Sequence, residues 1–166
     1  PLHAPPSAST SVAVSPAGEQ LLLDPESGPR LVCDDKNHVG IAWSAGEAAA
    51  GSRAASSDLR FANSMDGGQS WNPPVTVNDN GPDSTGHASH HDIAFSPRDG
   101  ALFAAWLDRR PGVDSTNANP ADREDAAIWM ARSQDFGTHW SANAAHWSRA
   151  CPNCRVSLVV DPAKTL

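Results

Sequence analysis

Eight residues recur in this chain and limit what it can fold into. Ser64-Met65-Asp66-Gly67-Gly68-Gln69-Ser70-Trp71 returns as Ser133-Gln134-Asp135-Phe136-Gly137-Thr138-His139-Trp140, so both copies read S-x-D-x-G-x-x-W. Each follows a short apolar run, Leu59-Arg60-Phe61-Ala62 in one case and Ile128-Trp129-Met130-Ala131 in the other. The chemistry of the octet is that of a hairpin turn. An Asp carboxylate accepts from backbone N–H groups a few residues ahead, and a Ser hydroxyl adds a local hydrogen bond. Gly takes the positive φ that other residues avoid. Trp brings a large apolar area with one N–H to satisfy, which suits a wedge between packed sheets. A strand, a tight turn and an anchoring Trp, used twice, predict an all-β chain made of repeats.

The octet resembles the Asp-box, or BNR repeat, of the sialidase family. In that family it closes the hairpin between the third and fourth strands of a β-propeller blade, away from the active site. The resemblance implies a structural role for Ser64, Asp66, Gly68, Trp71, Ser133, Asp135, Gly137 and Trp140, and it covers the chain from about Arg30 onward.

Taken in order, residues 1–9 read as a flexible Pro/Ser/Ala-rich segment. Thr10–Val14 and Gln20–Leu23, broken by Ser15-Pro16-Ala17-Gly18, predict a hairpin. Arg30–Cys33 and Val39–Ser44 predict a second, and Leu59–Asn63 and Val75–Val77 complete a blade over about 10–80. His91–Phe95, Leu102–Leu107 and Ala126–Arg132 repeat the plan over 87–150, with Ala105-Trp106 echoing Ala42-Trp43. Arg155–Val160 opens a third unit over 151–166 that stops within the blade. The expectation is about two and a half four-stranded antiparallel blades of a six- or seven-bladed sialidase-like propeller. Such a chain needs the remaining propeller blades or self-association to close its ring, because open sheet edges invite pairing.

A net charge of −7 and the lack of a basic run argue against a nucleic-acid binder. No apolar run reaches the roughly 20 residues of a membrane span. The composition and the N-terminal segment point to a periplasmic or secreted bacterial protein.

Three stretches could carry chemistry. The first is the loop from Asp108 to Asp125, with three Arg and five acids. The sialidase resemblance implies that Arg109 or Arg110 contacts substrate and that Asp114 or Asp122 is the general acid. A guanidinium fork binds a carboxylate sugar through two hydrogen bonds. The competing reading is a solvated loop of internal ion pairs. The second stretch, His87-Ala88-Ser89-His90-His91-Asp92, has metal-ligand chemistry suited to copper or zinc. Its competing reading is a polar loop entering a strand. The third, Cys151-Pro152-Asn153-Cys154, reads as a structural disulfide, half a metal site or a redox pair. A metal shared by His87, His90, His91, Cys151 and Cys154 is the sharper alternative.

Two departures from the family bear on activity. The Arg-Ile-Pro of a sialidase's first strand has Arg30-Leu31-Val32 and Arg155-Val156-Ser157 as its nearest matches, and neither has the Pro. The family nucleophile is a Tyr, and this chain has none. The sequence therefore predicts a binding or scaffold propeller for a glycan, a protein or a metal. The alternative is an exo-α-sialidase-type glycoside hydrolase whose catalytic half lies outside this chain.

Overall fold

A computed structural model of the chain describes residues 11–23, 27–47, 56–80, 88–110, 126–151 and 154–161. These form two four-stranded sheets. The first contains β1 (Arg30–Cys33), β2 (Val39–Glu47), β3 (Ser56–Ser64) and β4 (Val75–Thr76). The second contains β5 (Ser89–Phe95), β6 (Leu102–Asp108), β7 (Ala126–Ser133) and β8 (Ala144–Ala150). Strands lie in sequence order and each is antiparallel to the last. This is the up-and-down pattern of propeller blades. The registers correspond: Val39 faces Ser64 as Leu102 faces Ser133, and Arg30 faces Ala42 as Asp92 faces Ala105. Arg30 and Asp92 therefore hold the same place in successive repeats.

The two octets close β3–β4 and β7–β8 with one hydrogen-bond scheme. Ser64 Oγ donates to Asp66 Oδ1 at 2.7 Å and accepts from Gly68 N at 2.8 Å. Ser133 Oγ makes the same two bonds to Asp135 Oδ1 and from Gly137 N, both at 2.8 Å. Asp66 Oδ1 accepts from Ser70 N, and Asp135 Oδ1 from His139 N, each at 2.9 Å. The second oxygen of each carboxylate takes the side chain of that same residue, Ser70 Oγ or His139 Nδ1, at 2.6 Å. The Ser70 hydroxyl first, then its N–H and the Ser64 hydroxyl, bring Asp66 down to about 2. Burial pushes Asp135 up, but the His139 N–H and imidazole and the Ser133 hydroxyl bring it to about 2.

The second turn is also where the sheets meet. Gly137 has φ +88°, and a Cβ there would overlap the Phe61 ring, so glycine is required twice over. Phe61 is buried and meets Trp140 edge-on, with ring centroids 5.3 Å apart. Asn63 Nδ2 donates to Phe136 O at 2.8 Å. Around this contact, Leu59, Phe61 and Val77 of the first repeat pack with Ile93, Leu102, Trp106 and Phe136 of the second. Each large side chain fully buried here contributes about 1.5–3 kcal/mol. A smaller cluster in the first sheet, Trp43, Ala45 and Ala62, is flanked by Val14, Ile41 and Trp71.

The structure corrects the sequence at three places. The described residues 11–23 do not form a hairpin with each other. β1 pairs with β2 only as far as Ala42, which leaves the end of β2 open on that edge. The N-terminal stretch fills it: Leu22 N donates to Ser44 O, Gly46 N donates to Gln20 O, and Leu21 bridges Ala45. Glu19 then reaches Trp43 Nε1 at 2.9 Å and Arg60 Nε at 3.1 Å. Strand β8 is the second difference, since no strand is expected from the residues of Ala144–Ala150. The third is the segment from Arg155 to Val160, which forms no strand ladder among the described residues. It lies beside β5 instead, with Val156 N donating to His90 O at 3.3 Å and Leu158 N to Asp92 Oδ2 at 2.9 Å. Residues 1–9 lie outside the described residues.

Candidate functional site

The antiparallel order puts the octets at one end of the sheets and the remaining candidates at the other. In the second sheet Ser89 faces Leu107, Asp108 faces Ala127 and Ala126 faces Ala150. The starts of β5 and β7 and the ends of β6 and β8 therefore share one end, from which the His, Arg and Cys stretches all project. His87, Asp114 and Asp122 lie outside the described residues.

At this end β5 is irregular. A bulge falls between Ser89 and Asp92, and His90 has φ +51°. The bulge re-aims the side chains that follow. His90 N donates to Ser27 Oγ at 3.1 Å, and its Nδ1 lies 2.9 Å from Ser89 Oγ. His91 is turned into the junction between the sheets, where it has no exposed surface. Its Nδ1 lies 3.2 Å from Ser44 Oγ, and its Nε2 has no hydrogen-bond partner. Burial lowers its pKa to about 4; the Ala42 carbonyl opposes that, the Arg30 charge adds to it, the Asp92 charge opposes it and His90 adds to it.

Arg30 and Asp92 sit beside it on the inner strands. Arg30 Nε donates to His91 O at 3.3 Å and lies 3.7 Å from Asp92 Oδ1. This pair joins the two repeats at their inner edge. Asp92 entered the sequence reading only as the acid of the His-rich stretch; the repeat register reveals that it holds the position of Arg30.

Arg110 is enclosed by its own chain. Its guanidinium contacts Asp108 Oδ2 at 2.7 Å and Asp79 Oδ1 at 2.6 Å, and donates to Asn143 Oδ1 at 3.2 Å. Its carbon lies 3.9 Å from the centre of the Trp129 ring. Asp79 Oδ2 in turn accepts from Asn143 N at 2.9 Å. The group ties the exit of the first sheet to the ends of the second. Its fork is directed at two carboxylates of the protein, as in the ion-paired reading of this loop. Arg109, next to it, is half-buried.

Cys151 and Cys154 are joined in a disulfide with Cα atoms 5.3 Å apart, and both residues are exposed. Cys33 is an exposed free thiol on β1. Among the described residues no three His, Cys, Asp or Glu side chains form a group that could hold a metal. The bond between the cysteines engages both thiols, and His91 is buried with its Nδ1 beside Ser44 Oγ. Beside the disulfide lies a groove of about 450 Å³, lined by Leu107, Ile128, Trp147, Arg149, Arg155 and Val156. Nothing in the sequence signals this groove, because Trp147 and the two Arg are brought together by β8 and the segment after it. No helix among the described residues is long and apolar enough to cross a membrane.

No protein-family profile matches the chain, and no curated protein matches it. Among solved structures, the Hadza microbial sialidase Hz136 has a similar fold, with a TM-score of 0.52 at 17% identity. The match covers 70% of this chain and 25% of that one, so the chain spans about a quarter of that sialidase's length. Two four-stranded antiparallel sheets, strands in sequence order and this likeness together establish a sialidase-like all-β fold.

Proposed function

We propose that this chain is part of an exported sialidase-like Asp-box propeller and that it acts as a binding module, taking a glycan at the loop end of its inner strands. The observation that carries this reading is the opposed placement of the two kinds of feature. The octets are bound up in turn and packing contacts at one end, while Arg30, His90, Asp92 and the disulfide loop gather at the other. Arg30 is the guanidinium best placed for an acidic sugar, since its partner Asp92 stands at 3.7 Å and is not bidentate with it. The disulfide suits an oxidising compartment. A protein or metal ligand at the same end is the wider form of the reading.

The second reading is a sialidase-type glycoside hydrolase, favoured by the similarity in fold to a microbial sialidase. In this chain it lacks the Tyr nucleophile that the family uses. The test is a glycan array run beside a fluorogenic sialoside assay, on the chain and on Arg30→Ala. Retention of acidic glycans by the chain, weakened by Arg30→Ala and without sugar release, is expected. Release of sialic acid would establish the second reading, and an array with no retained glycan would refute the first.

A further inference from the structure

We propose that Cys151 and Cys154 form a thiol–disulfide exchange site for an anionic peptide thiol. The inference is independent of the glycan reading and rests on the juxtaposition of three features. Both cysteines are exposed, so an incoming sulfur has access to the bond. The groove beside them has an apolar wall of Leu107, Ile128 and Trp147, and Trp147 is 64% exposed although it is the largest side chain of β8. Arg149 and Arg155, on either side of the pair in sequence, line the same groove as the two cysteines and make that groove basic.

Each feature has a chemical consequence. A disulfide that closes so short a loop removes less chain entropy than one that closes a long loop, so the bond is less committed to holding the fold than a long-range staple would be. Exchange begins when a thiolate attacks one sulfur and the other departs as a thiolate. Cations nearby stabilise that departing thiolate and so speed the step. The same cations attract a peptide bearing carboxylates, and the apolar wall accommodates its side chains or backbone.

A peptide thiolate attacks one sulfur of the pair, the Cys151–Cys154 bond breaks, and a mixed disulfide forms. The displaced cysteine leaves as a thiolate and takes up a proton. A second peptide thiolate attacks the peptide sulfur of the mixed disulfide and releases the other cysteine, which is also protonated. Two peptide thiols become one peptide disulfide. The protein pair gains two electrons and two protons.

Reduced glutathione, a tripeptide thiol with two carboxylates, is the probe, and cysteamine, a cationic thiol, is the comparison. The readout is alkylation of newly freed thiols, followed by mass spectrometry, with rates normalised to thiolate concentration. Glutathione should react roughly tenfold faster than cysteamine, as expected for two partly screened charges near the bond. The double variant Arg149→Gln/Arg155→Gln should lose the preference. Added salt should shrink the preference in the unaltered chain, a measurement that does not depend on the variant folding. A disulfide left intact by glutathione would make the pair a structural staple only. Equal rates for both thiols, indifferent to salt, would equally overturn the proposal.

Discussion

His91 gives the sharpest quantitative expectation. It is buried where the two sheets meet, with Ser44 at its Nδ1 and no partner at its Nε2. Its folded pKa is about 4 against 6.5 for a free histidine. At about 1.36 kcal/mol per pKa unit, that gap corresponds to about 3 kcal/mol. Above pH 6.5 the ring is neutral in both the folded and the unfolded chain. Between 6.5 and 4 the unfolded chain takes up a proton that the folded chain excludes. Stability therefore falls as pH drops through that window and, from this residue, no further below it. Arg30, Asp92 and His90 are the charged or titratable groups that act on the ring, and they remain in the variant that tests it. His91→Leu removes the titration and leaves the Ser44 hydroxyl its bond to Ala88 O. Urea unfolding by Trp fluorescence, from about pH 7 to about pH 4.5, gives both stabilities. The wild-type chain should lose about 2.5 kcal/mol relative to His91→Leu over that range. A difference constant to within about 0.5 kcal/mol would show that burial of His91 does not govern the pH response.

Three further outcomes follow from the packing. Phe61→Ala should cost about 3–5 kcal/mol, and Gly137→Ala about 2 kcal/mol or more from strain and overlap. In the Phe61→Ala background the glycine substitution should cost markedly less; additive costs in denaturant unfolding would refute the contact. Arg110→Ala leaves the buried Asp108 without its counter-charge and should destabilise by about 3–5 kcal/mol. A melting temperature within about 2 °C of wild type would contradict that assignment. The octet carboxylates, held at about 2 against a usual 3.8, should keep both turns closed through mild acid and release them only as pH falls through about 2. Amide exchange at Ser70 and His139 reads this directly, and Asp66→Asn and Asp135→Asn should open those amides at neutral pH.

The parts legible in the sequence are those where a few residues act locally. Each octet condenses Ser, Asp and Gly into one turn, so its hydrogen bonds are fixed within four residues and can be read before any fold is known. Strands β2, β3, β6 and β7 carry apolar runs because they lie inside the sheets. β8 was missed for the opposite reason. Its residues are mostly exposed, its pairing to β7 shifts register twice, and its sequence lacks alternation. The N-terminal hairpin was expected from two apolar runs, but the open end of β2 competed for the same stretch. Distance in sequence hid the surroundings of Arg110, because Asp79 and Asn143 lie 31 and 33 residues away. The pairing of Cys151 with Cys154 was one of several readings that spacing allowed, and the structure selects it.

The pair formed by Arg30 and Asp92 has a consequence for how such repeats come to differ. The two residues occupy one position of the repeat, yet they meet as opposite charges across the junction. A perfect tandem copy of the first unit would set arginine against arginine there, and a copy of the second would set aspartate against aspartate. Duplicated units that kept their sequence would repel at the inner edge. Divergence at this one site instead gives each unit a distinguishable neighbour. Asp92 turns its other oxygen to the backbone of Leu158, which belongs to the segment on the opposite side. One side chain thus contacts both neighbours, so the order of the units is written into their contacts as well as into the covalent chain.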